Sequence, residues 1–330
     1  PSAEGTARTE AVADLTVRRL DLDRLLAMQR DGDGGGAGGA ERGDAASTDG
    51  GGGFSLPTDM RAELNVNVGA ILYRDRVIRQ GRANAVLADG TVTLNQAMAL
   101  LPGSSDLALF GTLAAQDGKP VFDGRLESAS DNLRGMLAWL GIDAERVPED
   151  RLRRMELLAG LRARPGQITL TNIDLDVDTA QLKGGIAIAL RQRPGFGIGL
   201  TADRLNLDAY LPADRAAAGG SGGSDAGNDD SGDAGGPPLG WLGGFDANFD
   251  LRAGQLTYAG ATARDVKLNA TLHNQALTVR EASVGNLAGA AVRLDGRLSE
   301  LIGLDPQLDL NVDLDVRNLP RFAGLFGLGE

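Results

Sequence analysis

Strict alternation of apolar and polar residues is the feature that most constrains this chain. In the segment LDLNVDLDVRN, residues 308–318, an aliphatic side chain occupies every second position and a polar or charged one lies between. Successive side chains of a β-strand point to opposite faces, whereas a helix would spread these residues around its whole circumference. The same period of two recurs in AELNVNV around Leu64 and in NIDLDVD around Leu175. The chain is therefore predicted to form strands whose apolar face must be removed from water.

Further short strands are predicted between turn signals such as Asp-Gly and Gly-Gly, as in an antiparallel meander. Their ranges are 63–73, 80–88, 91–96, 106–115, 120–127, 167–178, 182–190 and 195–203. Short helices are predicted at residues 20–29, 131–141, 148–162, 207–211 and 319–327. The helix at 148–162 is predicted from its first residues, PEDRL, because proline and acidic residues are favourable in a first helical turn.

The chain also repeats itself. LTVRRLDLDRLL, beginning at Leu15, matches LTADRLNLDAYL, beginning at Leu200, at seven of twelve positions, an offset of 200 − 15 = 185 residues. The offset continues without a gap through most of the following strands, and such self-similarity indicates a duplicated unit. We predict a first repeat at 12–199 with a flexible Gly-rich loop at 31–53, and a second, incomplete repeat at 200–330 with a similar loop at 217–238.

Composition excludes several classes of protein. The formal net charge of −12 is opposite to what phosphate binding needs, so nucleic acid is not an expected partner. There is no cysteine, which removes disulfides and thiolate ligands, and no apolar run approaches the ~20 residues that span a bilayer. Because the first residue is proline, we expect a fragment whose anchoring segment, if it has one, lies upstream.

No arrangement of residues indicates catalysis or a bound cofactor. The one histidine, His273, is predicted at the surface of a hairpin tip and lacks a second imidazole or thiol to share a metal. The acids Asp174, Asp176, Asp178, Asp309, Asp313 and Asp315 are predicted on the solvated strand face. The Gly-rich tracts lack the apolar position of calcium-binding nonapeptides. Trp139 and Trp241 are predicted to pack against apolar surface. We expect no enzyme, no cofactor and no metal site.

The order of segments resembles one known family. FDGRLESASDNLRGMLAWLG, then PGQITLTNIDLDVDTAQLKGGIAIAL, then GIGLTADRLNLDAYLP resembles the AsmA-like family of Gram-negative envelope proteins. The resemblance implies a mainly β fold, an elongated curved antiparallel sheet that forms an apolar groove, with a few short helices. It also implies a periplasmic location, a tether to the inner membrane through a segment absent here, and a role in outer-membrane biogenesis with transport of phospholipid between membranes.

Two arrangements of the strands remain open at this point. The apolar faces either line an open groove for phospholipid acyl chains or meet each other as the dry core of a sandwich or barrel. We expect the groove, because aromatic residues and covering helices are few. The expected partners are phospholipid acyl chains and the inner and outer membranes or their proteins; the alternative is a ligand-free scaffold or regulator of outer-membrane protein assembly and targeting. The predicted groove lining consists of Leu64, Val66, Val68, Ile173, Leu175, Val177, Ile186, Ile188, Leu308, Leu310, Val312, Leu314 and Val316.

Overall fold

The computed structural model describes residues 9–32, 53–74, 76–211, 244–299 and 307–324. The chain divides into two compact units. Unit 1 comprises Pro1–Ile142 and Arg154–Pro165, and unit 2 comprises Asp143–Arg153 and Gly166–Glu330. Both predicted Gly-rich loops fall almost wholly outside the described residues, as does Trp241. The predicted repeat boundaries near residue 200 stay a prediction.

Unit 1 is an open sheet whose strands follow one another in chain order. Its described strands are β1 (Thr9–Asp21), β2 (Met60–Tyr73), β3 (Arg76–Ala88), β4 (Thr91–Leu101), β5 (Ser105–Gln116), β6 (Lys119–Ser130) and β7 (Met155–Arg164). Neighbours from β2 to β7 are antiparallel, and β1 runs parallel to β2. Helix α1 (Leu22–Gly32) follows β1, and helix α2 (Leu133–Leu140) follows β6.

Unit 2 repeats this plan in its last six described strands. Its described strands are β8 (Gln167–Val177), β9 (Ala180–Ala189), β10 (Gly195–Asn206), β11 (Asp246–Tyr258), β12 (Ala261–His273), β13 (Ala276–Leu287), β14 (Ala290–Ser299) and β15 (Gln307–Val316). They too are neighbours in chain order, antiparallel except for β10 and β11. A 3₁₀ helix (Asp208–Tyr210) follows β10, and helix α3 (Leu319–Gly324) follows β15.

The mainly β fold with few short helices is confirmed, and the purely antiparallel meander is corrected at two places. The pairs β1–β2 and β10–β11 are parallel. Parallel neighbours need a crossover of a dozen or more residues, and the two long Gly-rich connections supply that length. The sequence pattern could not show this, because a period of two identifies a strand but not its direction.

The helix predicted at residues 148–162 is wrong. Only one turn forms at its start, where the Arg151 N–H donates to the Pro148 carbonyl at 3.0 Å, and the rest is strand β7. The sequence MELLAGLRAR is rich in good helix formers, but intrinsic propensity is a weak preference that tertiary pairing overrides. Here the pairing partner is the edge of β6, with Leu126 opposite Ala159.

The duplication is visible in the strand registers. Leu15 lies opposite Val66 in unit 1 and Leu200 lies opposite Leu251 in unit 2, so both partners shift by the same offset. The helix caps repeat as well. The Asn132 side chain accepts the Gly135 N–H at 3.0 Å before α2, and the Asn318 side chain accepts the Arg321 N–H at 3.1 Å before α3.

Candidate functional site

One face of the unit 2 sheet is apolar in unbroken rows that cross every strand. Residues directly opposite each other on neighbouring strands project from the same face, so the registers define these rows. One row consists of Ile168, Ile188, Phe196, Ala247, Leu272, Leu277, Leu298 and Leu308. Another consists of Ile173, Gly184, Leu200, Leu251, Leu268, Ala282, Leu294 and Val312. Two more apolar rows run from Leu170 to Leu310 and from Leu175 to Leu314. We call this surface the unit 2 apolar face.

Unit 1 has a corresponding face built in the same way. One row consists of Leu64, Ala85, Leu94, Gly111, Gly124 and Leu161. The next consists of Val66, Ala83, Ala97, Leu109, Leu126 and Ala159. Strand β1 extends both rows with Ala13 and Leu15, and adds Val17 opposite Val68. We call this surface the unit 1 apolar face.

No second sheet covers either apolar face within the described part of the chain. Extensive contacts there join only neighbouring strands, apart from a small contact of α1 with β2. Burial differs along the rows: Leu272 is 1% exposed and Ile173 is 4% exposed, whereas Leu308, in the same row as Leu272, is 64% exposed. On unit 1, Leu64 is 43% exposed. The closed sandwich or barrel is therefore wrong for these residues, and each unit is an open single-layer sheet.

The structure places all the sequence-predicted lining residues on these two faces. Leu64, Val66 and Val68 lie on the unit 1 apolar face. On the unit 2 apolar face lie Ile173, Leu175, Val177, Ile186, Ile188, Leu308, Leu310, Val312, Leu314 and Val316. Whether they contact lipid stays a prediction.

The central strands of unit 2 contribute residues that the sequence prediction missed. Leu200 and Leu251 of the parallel pair, and Leu268 beside them, lie in the row that ends at Val312. The alternation is present there, but Gly and Ala occupy enough positions in GFGIGLTA to weaken the pattern. The offset between repeats could have found Leu251, since its counterpart is the predicted residue Val66.

The opposite face of each sheet is polar and partly charged. In unit 2, Asp174 lies opposite Lys183 with 3.6 Å between carboxylate and ammonium. In unit 1, the Asn84 side chain donates to the Asn65 side chain across the β2–β3 pair at 2.6 Å. These groups pair with polar side chains on the neighbouring strand, so the two faces differ sharply in chemistry.

Asp246 anchors the start of β11 through two arginines and a histidine ring. Its carboxylate lies 2.8 Å from the Arg193 guanidinium, 3.1 Å from that of Arg191 and 3.2 Å from the His273 ring. Partial burial acts to raise the pKa of Asp246, but the Asn274 N–H, Arg193 and His273 together hold that pKa below its ordinary value. His273 is exposed beside the β12–β13 turn, as predicted.

Asp178 and Trp139, both singled out in the sequence, form hydrogen bonds that hold the fold together. Asp178 is not a solvated strand residue, because its carboxylate accepts the N–H groups of Leu152 at 2.8 Å and Arg153 at 3.0 Å. It also accepts the Tyr210 hydroxyl at 3.2 Å, and burial together with this carboxylate raises the pKa of Tyr210. Trp139 packs at the end of β2, where its indole N–H donates to the Tyr73 carbonyl at 3.3 Å.

Neither a metal centre nor a membrane-spanning helix can be assigned to the described residues. Among them, no three His, Cys, Asp or Glu side chains are grouped so as to hold a metal ion. No helix in the same residues has the length and apolarity needed to cross a bilayer. A scan against protein-family models, a search of curated proteins and a search of solved structures each found no match.

Proposed function

We propose that the two apolar faces bind phospholipid acyl chains and that this chain is part of a conduit for phospholipid between the inner and outer membranes. The observation that carries the proposal is the set of unbroken apolar rows on one face of each open sheet, with no second sheet over them in the described residues. Apolar surface left in water is unfavourable, and large exposed apolar patches mark interaction sites.

The chemistry of the rows favours a hydrocarbon chain as the occupant. They are lined almost entirely by Leu, Ile, Val, Ala and Gly, with Phe196 and Phe249 as the aromatic exceptions in unit 2. Such a lining offers no directional hydrogen bonds to hold a polar group in one place. It therefore favours a ligand that gains its affinity from removing methylene groups from water, and that can slide along a row.

The dimensions of a row also suit a fatty chain. Strands lie about 4.8 Å apart, so a row across the eight described strands of unit 2 is roughly 34 Å long. The hydrocarbon core of a bilayer is about 30 Å thick for two leaflets, so one acyl chain needs roughly half that length. A row therefore exceeds the length of one chain. Each methylene fully removed from water contributes about 0.8 kcal/mol, so ten of them, half-covered by one wall, gain about 4 kcal/mol.

The polar faces fit an aqueous compartment that the conduit crosses. Ion pairs such as that of Asp123 with Arg162, at 3.3 Å, are solvated and compatible with water on that side. On the resemblance to the AsmA-like family, we place the protein in the periplasm, tethered to the inner membrane. In this proposal it is not an enzyme and needs no cofactor.

Site-specific photocrosslinking tests the proposal. A photoreactive amino acid at Leu251 projects from the unit 2 apolar face, whereas the same residue at Arg252 projects from the polar face of the same strand. After irradiation in cells, we expect mass spectrometry to find phospholipid attached at position 251 and much less at position 252. Equal labelling at both positions, or none at 251 in correctly folded protein, would favour a ligand-free scaffold instead.

A further inference from the structure

The outer edge of β15 lacks a bulge, a proline and a lysine, and the charged side chains on this strand are those of Asp309, Asp313 and Asp315. Among the described strands, β15 pairs only with β14, and it does so over ten residues without a register shift. Natural edge strands are commonly shortened, bulged, or protected by proline and lysine, because unpaired N–H and C=O groups recruit other strands. The sequence QLDLNVDLDV contains no proline, lysine or glycine. The outer edge of β15 is therefore ten residues long and regular, and no described strand pairs with its outward-facing N–H and C=O groups.

The internal duplication shows which kind of strand pairs with an edge of this type. β6 is the unit 1 counterpart of β15, because Leu126 lies opposite Leu109 on β5 just as Val312 lies opposite Leu294 on β14. The helices after both strands begin with an asparagine cap. In unit 1 the outer edge of β6 is covered by β7, which runs antiparallel to it with Ala159 opposite Leu126.

Exposure and charge point to the same partner. Leu126 is half-buried beside β7, whereas Val312 is 59% exposed. Asp123 on β6 forms an ion pair with Arg162 of β7 at 3.3 Å, and the β15 counterpart of Asp123 is Asp309. A strand with the β7 pattern would therefore extend the apolar rows of unit 2 and set an arginine opposite Asp309.

We propose that the outer edge of β15 binds an extended segment of the β7 type by antiparallel strand addition. The segment has a small or apolar residue at every second position, the middle one opposite Val312, and an arginine opposite Asp309. This inference goes beyond acyl-chain binding, since it concerns backbone pairing at the sheet edge and is independent of any lipid.

A peptide with the sequence of residues 155–164, MELLAGLRAR, added to the full chain tests the inference. Because the chain has no cysteine, Val312→Cys can be paired with a peptide carrying Ala159→Cys. Directly opposite residues bring their Cβ atoms within reach of a disulfide, whereas a shift by one residue moves the side chain to the other face. We expect the disulfide at Val312→Cys to form several-fold faster than at the matched control Asp313→Cys.

Two modified peptides separate strand addition from general adhesion. In the first peptide, methyl groups replace the hydrogens of the alternate backbone N–H groups that face β15; in the second, they replace those that face away from β15. We call these the two methylation phases. We expect the first peptide to lose saturable binding and the second to keep it. A peptide with Arg162→Glu should bind about two- to fivefold more weakly, the effect of losing one cross-strand ion pair.

Absence of saturable binding, equal disulfide rates at positions 312 and 313, or equal effects of the two methylation phases would each overturn the inference. It is also overturned if Val312→Cys chains form disulfide dimers that excess peptide does not compete away, since a second copy would then occupy the edge. Photocrosslinking of phospholipid at position 251 is unaffected by these outcomes, so the two proposals fail separately.

Discussion

Replacing Leu64 with aspartate distinguishes an open apolar face from a dry core. Leu64 projects from the unit 1 apolar face between the small residues Ala13 and Ala85 and is 43% exposed. A new carboxylate at this position can reach water. Asn67→Asp is the matched control, because it introduces the same group on the same strand but on the polar face, opposite Arg82.

The expected cost follows from the exposure. Full burial of a leucine side chain contributes about 1.5–3 kcal/mol, and rather more than half of that applies at 43% exposure, so Leu64→Asp should lower the free energy of unfolding by about 1–2 kcal/mol. An unpaired carboxylate in a dry core would instead cost several kcal/mol. Asn67→Asp should change the free energy of unfolding by less than about 0.5 kcal/mol, as surface substitutions usually do.

Urea unfolding followed by circular dichroism measures both variants. We expect Leu64→Asp to stay folded and to lose photocrosslinking of lipid at other positions of the unit 1 face, while Asn67→Asp keeps it. A loss of stability much above 3 kcal/mol in Leu64→Asp would refute the open face. Unchanged lipid labelling in a folded Leu64→Asp protein would refute acyl-chain binding there.

Three further predictions concern unit 2. Leu272→Ala should cost about 2–5 kcal/mol because Leu272 is 1% exposed, whereas Leu308→Ala in the same row, where the leucine is 64% exposed, should cost less than about 1 kcal/mol; urea unfolding of both measures this, and equal costs would contradict the graded burial. Gly184→Ala should destabilise strongly, since a Cβ there would lie 2.0 Å from the Gly199 carbonyl oxygen, at a φ of 150°. Gly199→Ala should be tolerated, because its Cβ would approach no atom closer than 4.0 Å. A thermal melt in which Gly199→Ala is the less stable variant would contradict the close approach of β9 and β10 at Gly184. The contacts that lower the pKa of Asp246 contribute stability above the ordinary carboxyl pKa, and this contribution is lost as pH falls through the lower pKa of the folded state. Wild type should therefore lose stability in that acidic range, and Asp246→Asn should lose less. Parallel pH profiles of the free energy of unfolding would contradict this.

The sequence predicted the strands well because the period of two is imposed by burial of one face. Apolar and polar residues alternate without interruption at 308–316 and at 173–177. A register slip of one residue would move every apolar side chain of such a strand to the solvent face. The same pattern placed the lining residues on a common face within each unit. Where Gly and Ala dilute the pattern, as around Leu200, the sequence signal was too weak to assign a lining residue.

The sequence could not determine features that depend on distant parts of the chain. The direction of β1 beside β2 depends on the long crossover, which carries no periodic signal. The strand identity of Met155–Arg164 depends on the vacant edge of β6, and its helix-forming residues point the other way. Asp178 alternates like a solvated strand residue, yet its partners Leu152 and Arg153 lie more than twenty residues away.

The lipid content of the purified protein tests acyl-chain binding most directly. The chain is expressed in the periplasm of a Gram-negative host, purified in a mild detergent and extracted with organic solvent, and phospholipid is quantified by mass spectrometry against protein, with Leu64→Asp prepared in parallel. We expect phospholipid in stoichiometric amounts with wild type and less with the variant. Folded wild-type protein that carries no phospholipid above the detergent background would contradict acyl-chain binding.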